Sequence, residues 1–153
     1  MHLQTIIYRH RKENKKKCTL RPLEKREDFL FIEYPTDPLP PLDEYIVLNL
    51  EAPPLTKEES DKGLLLIDGT WNYTKKMGQS LLNKRTSVRS LPGEIFTAYP
   101  RKQTGCSDPL RGLASIEALY AAYHILGWDT KGLLDQYHWK ESFLEKNALF
   151  FNS

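Results

Sequence analysis

Leu64-Leu65-Leu66-Ile67 is the stretch that most constrains this chain. Four consecutive apolar residues leave a strand no solvated face, so the strand must be covered on both sides. The run stops at Asp68-Gly69-Thr70, a turn ending on a good N-cap residue, and a helical pattern follows from Trp71. In open α/β sheets, ligands bind beyond the carboxyl ends of strands. Asp68 and Trp71 therefore fall where a ligand is expected. The same residues also read as a plain strand–turn–helix joint with a capping Asp and a core Trp. Spacing alone leaves both readings open.

Strand patterns elsewhere agree with a layered α/β fold. Leu3–Arg9 is apolar and β-branched, Asp28–Tyr34 is a second strand ended by Pro35, and Tyr45–Leu50 is a third. Pro38, Pro40 and Pro41 make the connector before the third strand stiff. Thr56 with Glu59 three residues on reads as the capping box of a short helix through Lys62. Asn83–Arg89 reads as a basic loop, and Ile95–Tyr99 as a fifth strand. Leu113–Leu126 is the strongest helix, rich in alanine, stopped by Gly127, with Glu117 in its first turn as a capping and dipole-complementing carboxylate. A last helix is expected over 129–150. Trp128 and Trp139 read as packing residues.

At 153 residues, with 40% hydrophobic and 27% charged residues, one domain is expected. No apolar run approaches the roughly 20 residues of a membrane span. The first eleven residues lack a signal-peptide core, and two cysteines are too few for a disulfide framework. A cytoplasmic location with free thiols is the resulting expectation. The net charge of +2 conceals patterning. Residues 1–27 carry nine Lys/Arg against three Glu (+6), and 28–70 carry two Lys against ten acids (−8). Residues 71–113 return to +6, with eight Lys/Arg against two acids, and the remainder is −2, with three against five. Two basic segments on one side of the fold would make a nucleic-acid surface. Segments that do not meet would be an ordinary solvated mixture of charges.

Several chemistries find no support. There is no G-x-G-x-x-G or G-x-x-x-x-G-K-[ST] loop, no C-x-x-C pair and no G-x-S-x-G elbow. His10, His124 and His138 are too scattered to argue for zinc, so no metal is expected. Strand-end backbone, one carboxylate and apolar side chains remain. Such a site suits a nucleoside-like cofactor.

Asp68-Gly69-Thr70-Trp71 resembles the Asp-Thr-Trp core of the DTW-domain proteins and the equally spaced Asp and Trp of the related 18S rRNA aminocarboxypropyltransferases. Leu113-Ala114-Ser115-Ile116-Glu117-Ala118 is similar to the Leu-Ser-x-x-Glu-Ala element that opens a helix in those families. Lys16-Lys17-Cys18-Thr19 is similar to the Lys-Lys-Cys-Ser/Thr of the rRNA enzymes. The resemblance runs from about Lys15 to Gly127. It implies an α/β domain with a mostly parallel sheet, helices on both faces, and a SPOUT-like trefoil knot that binds S-adenosylmethionine. The chain 1–153 then divides into a basic N-terminal part (1–27), a sheet and cofactor region (28–127) and the C-terminal helix.

The implied reaction moves the 3-amino-3-carboxypropyl group of S-adenosylmethionine to a uridine-type base of rRNA or tRNA. The resemblance puts Thr19 near the amino-acid end of the cofactor and backbone around Ile67 at the ribose. Trp71 would lie against the methyl group and adenine, with Ile95, Phe96, Arg111, Leu113 and Ser115 at the adenine edge. Asp68 is the candidate catalytic residue, as cofactor-positioning group or as base. Arg11, Lys12, Lys15, Lys16, Lys17 and Lys102 are candidate RNA contacts. Gly69-Thr70 matches the tRNA enzymes, where the rRNA enzymes have Cys-Ser, while Lys-Lys-Cys-Thr favours the rRNA enzymes. A SPOUT-like methyltransferase and a non-catalytic RNA-binding module are the rivals. The partners expected are RNA and the cofactor, with no membrane and a monomer favoured.

Overall fold

Among the described residues, the apolar strands assemble into one five-stranded, wholly parallel sheet. The computed structural model describes residues 3–11, 20–48, 52–68, 81, 87–98 and 113–152. The strands are β1 (Thr5–His10), β2 (Phe29–Tyr34), β3 (Tyr45–Leu48), β4 (Gly63–Asp68) and β5 (Ser87–Arg89), in the order β2-β1-β4-β3-β5. The constraining strand β4 is at the centre, and Leu64, Leu65 and Leu66 are each 0% exposed. Its register on β1 pairs Ile6 with Leu65 and Arg9 with Asp68. Gly63 opens β4 for a steric reason. A Cβ there would sit 2.5 Å from the Tyr45 ring, which crosses it so that the Tyr45 hydroxyl can donate to the Gln4 carbonyl at 2.7 Å.

Alternation along each strand divides the core in two. Ile7, Phe29, Ile46, Leu64 and Leu66 face α1 (Ser115–Leu126), together with Leu133, Leu134, Tyr137 and Phe143 from the C-terminal part. Ile6, Tyr8, Ile32, Val47 and Leu65 face the other way, against Leu42 and Leu81. The alanines of α1, Ala118, Ala121 and Ala122, are fully buried, and their small size lets the helix lie close to the sheet. Among the described residues, helices cover one face. The helix expected from Trp71, which would cover the other, lies outside them, as do 99–112. The implied knot depends on those connections.

Three expectations need correction. The fifth strand is Ser87–Arg89, part of the expected basic loop, not Ile95–Tyr99. A three-residue, half-buried edge strand with one apolar residue carries almost no periodic signal. It is held from outside itself, by a bridge between Pro54 and Ser90 and by the Arg89–Glu59 ion pair at 2.8 Å. The expected helix 56–62 is one 3₁₀ turn, Lys57–Glu59, capped by Thr56. Burial by itself raises the Glu59 carboxyl, but the Thr56 hydroxyl and Arg89 outweigh it and hold it below the ordinary carboxylate range. The C-terminal helix is broken. Gly132 has φ +83°, which helix geometry excludes, and two short helices follow, α2 (Lys140–Lys146) and α3 (Ala148–Phe151), separated by Asn147. The stop at Gly127 (φ 76°) matches expectation.

Helix α1 is tied to the sheet by a hydrogen bond between the Tyr123 and Thr5 hydroxyls. Burial pushes the Tyr123 phenol from 10.0 up to about 12. A raised folded pKa means that the neutral phenol is favoured by folding. Its contribution is complete below pH 10 and fades as pH rises from there towards about 12. Absorbance titration of the tyrosines is therefore expected to show a late-ionising phenol coupled to alkaline unfolding. Tyr123→Phe should remove that late step, and a titration unchanged by the substitution contradicts the assignment.

Candidate functional site

The connection from β1 goes outward to β2, whereas the connection from β4 goes past β3 to β5. The carboxyl ends of the neighbouring strands β1 and β4 therefore flank the point where the chain diverges. That is the place where open parallel sheets form a crevice. Arg9 and Asp68 stand there as register partners on the α1 face. Arg9 is 5% exposed and Asp68 4%. Arg9 Nε donates to Asp68 Oδ2 at 3.2 Å and Arg9 Nη1 to Glu24 Oε1 at 2.8 Å. Its guanidinium carbon lies 4.8 Å from the centre of the Phe31 ring, a cation–π arrangement. Ser115, the first residue of α1, donates from Oγ to Asp68 Oδ1 at 2.9 Å. Both oxygens of Asp68 are thus engaged, which suits a group that orients its surroundings. From Arg9 an open groove of about 480 Å³ leads out along β2, past Glu24, Phe29, Phe31, Glu33 and Asp37.

Another buried carboxylate lies two residues further into α1. Glu117 is 0% exposed. Its Oε1 accepts from the Thr97 hydroxyl (2.6 Å) and the Ala114 amide (2.8 Å), and its Oε2 from the Ala98 amide (2.8 Å) and the Tyr137 hydroxyl (2.9 Å). The Ala114 bond is the expected cap of the helix start. The other three fasten the 95–98 segment and the C-terminal turn to that helix end.

This explains why Ile95–Ala98 is not a strand. Its main-chain groups are bonded by side chains. Asn147 Oδ1 accepts from the Phe96 amide at 2.7 Å, and Asn147 Nδ2 donates to the Phe96 carbonyl at 2.8 Å. Glu117 takes the Ala98 amide. Ile95 is buried at 4% exposure, while Phe96 is 63% exposed.

Asp68 and Ser115 thus meet at the first turn of α1, just after Leu113, and Thr97 and Ala98, which follow Ile95 and Phe96, are bonded to Glu117 in the same turn. The Leu113 and Ile95 side chains belong to the core, so main chain is what these two can offer a ligand. Ile67 points to the opposite face from Asp68. Arg11 is exposed at the end of β1, its amide donating to the Tyr34 carbonyl. Thr19, Trp71, Arg111, Lys12, Lys15, Lys16, Lys17 and Lys102 lie outside the described residues. No cluster of three metal-binding side chains occurs among the described residues.

Sequence reasoning missed Arg9, Glu24, Tyr137 and Asn147. Arg9 had a signal: in Thr5-x-Ile7-x-Arg9 a charge continues an inward-facing row. Asn147 had none, since an isolated Asn near a helix end is common.

No family profile and no curated protein matches the chain. A solved structure does. The chain is similar to the SAM-dependent rRNA:acp-transferase Tsr3 from Vulcanisaeta distributa. The TM-score is 0.76, at 25% sequence identity, over 99% of this chain and 82% of the Tsr3 chain.

The Glu117 geometry gives a sharp expectation. A glutamine at this position turns an NH₂ group towards a main-chain amide in either orientation of its side chain, because each carboxylate oxygen serves one. An unmatched buried amide costs about 1–3 kcal/mol. Glu117→Gln should therefore destabilise by about 2 kcal/mol or more in urea unfolding, close to Glu117→Ala. A Gln variant as stable as the parent contradicts the arrangement.

Proposed function

We propose that this protein transfers the 3-amino-3-carboxypropyl group of S-adenosylmethionine to a uridine-type base of rRNA. The observation that carries the reading is the similarity to the rRNA:acp-transferase Tsr3 along 99% of the chain. It joins the independent resemblance of the Asp68–Trp71, Leu113–Ala118 and Lys16–Thr19 blocks. It also favours rRNA over tRNA, which those blocks left undecided.

The residues fit a nucleoside-like cofactor. The connections diverge beyond Arg9 and Asp68, and an exposed aromatic, Phe96, stands on a main chain fastened by Asn147, two residues before the Ala98 amide that Glu117 binds. The cofactor supplies a sulfonium leaving group, so the protein's task is mainly orientation. Asp68, held by Arg9 and Ser115, fixes the crevice floor in this reading and orients the cofactor. Trp71 covers the methyl group and packs on adenine, with main chain at Ile67 against the ribose. Main chain at 95–96 and 111–115 meets the adenine edge. Thr19 serves the amino-acid end, and Arg11, Lys12, Lys15, Lys16, Lys17 and Lys102 serve RNA phosphate. In the transfer, the base nitrogen bonds to the side-chain carbon next to sulfur, that carbon–sulfur bond breaks, and 5′-methylthioadenosine leaves. The nitrogen's proton passes to solvent or a nearby base.

The test is a double-label assay. Unmodified small-subunit rRNA is incubated with the protein and S-adenosylmethionine labelled in its carboxyl or its methyl group. Carboxyl label entering the RNA without methyl label is the expected result. Methyl label entering instead makes the protein a methyltransferase and overturns the proposal. Trp71→Ala should cut cofactor affinity by at least tenfold in calorimetric titration. Asp68→Asn is a cleaner probe than Asp68→Ala, because both remove the charge that Arg9 faces but Asn keeps the side chain's size and an oxygen for Arg9 to donate to. It should lower transfer by tenfold or more in protein shown to be folded. Full activity in both variants removes these residues from the site.

A further inference from the structure

We propose that Asn147 is a positioning residue of the cofactor site, acting through the main chain of Phe96; this rests on the cofactor assignment above. Asn147 occupies the break between α2 and α3 and is 3% exposed. Its amide is directed at main chain. It bonds both polar groups of the Phe96 residue, and its Nδ2 also reaches the Phe143 carbonyl at 2.8 Å. One side chain that bonds the amide and the carbonyl of one residue does what a neighbouring parallel strand does for an alternate residue. Here no strand is needed, and the segment is held by single side chains from two helical regions, Asn147 and Glu117. Lys146 adds a contact from Nζ to the Thr97 carbonyl at 3.4 Å.

The consequence is visible at Phe96. Burying a Phe ring is normally favourable by about 1.5–3 kcal/mol. The next side chain back, Ile95, is taken into the core, yet Phe96 is held out at 63% exposure. A large apolar side chain presented on a main chain fixed at successive residues is a surface prepared for a flat, apolar partner. Little ordering cost remains when the ligand arrives. Two residues on, the Ala98 amide is bonded to Glu117 in the first turn of α1, the turn whose Ser115 meets Asp68 of β4. An adenine there meets a ring and a main chain whose positions Asn147 has set.

The experiment is a double-mutant cycle on S-adenosylmethionine binding, by calorimetry below the unfolding temperature of every variant. Asn147→Ala should raise Kd tenfold or more, and Phe96→Ala at least fivefold. Phe96→Ala should leave thermal stability unchanged, since the ring is mostly in water. In the double variant the effects should be clearly less than multiplicative, because Asn147 works through the residue already truncated. A purely structural Asn147 would lower Tm and leave Kd within twofold of the parent, and that result overturns the proposal. So do fully multiplicative effects. Should Asn147→Ala not fold, Asn147→Asp replaces it. It keeps the acceptor for the Phe96 amide and turns a carboxylate towards two carbonyls, so an unchanged Kd there, or in Phe96→Ala, is equally fatal. A parent protein that does not bind S-adenosylmethionine overturns the function itself, an outcome distinct from a parent that binds and variants that bind equally well.

Discussion

The carboxylate of Glu117 is the interaction on which the arrangement of the site depends. It is wholly buried and receives hydrogen bonds from three separate parts of the chain: the start of its own helix, the 97–98 segment and Tyr137. A charge taken so completely out of water persists only where donors replace its hydration. The same donors are themselves main-chain amides and hydroxyls in need of an acceptor. Each half of the arrangement requires the other, which makes it an all-or-none element of the fold. The 95–98 segment, which joins no sheet, has its place because of Glu117 and Asn147.

Asp68 and Arg9 do for the strand ends what Glu117 does for the helix end. A buried ion pair contributes little net stability once desolvation is counted, but it is intolerant of wrong pairings. Across β1 and β4 it fixes which residues stand side by side at the divergence of the sheet. The pair also bears on charge. Arg9, Arg26 and Arg89 belong to the two basic segments and pair with Asp68, Asp28 and Glu59 of the acidic one between, Arg9 pairing also with Glu24 of its own segment. Part of the charge alternation along the chain is therefore internal pairing. A basic RNA surface has to come from the remaining cations, among them the exposed Arg11.

The elements that were legible in the sequence are those whose signal is local. β1, β2, β3 and β4 follow from apolar runs, and α1 from its alanines and its Gly127 stop. Asp68 and Ser115 were named as site residues and meet at 2.9 Å. The failures share a cause. β5 is short, polar and kept in place by Glu59 and Pro54. Ile95–Ala98 has strand-like residues but side-chain partners. The C-terminal helix breaks at a positive-φ glycine and at an Asn recruited to another segment.

The sequence by itself determined that Leu64–Ile67 would form a strand covered on both sides, that a polar residue would end it, and that a helix would begin near Ser115. Composition and short-range periodicity suffice for this, because burial of an apolar run acts wherever the run is. Only the tertiary structure decided which polar groups meet: Arg9 with Asp68 across 59 residues, Tyr137 with Glu117 across 20, Asn147 with Phe96 across 51. Hydrogen bonds are short and directional, so their partners depend on the final path of the chain and leave no periodic trace in its sequence.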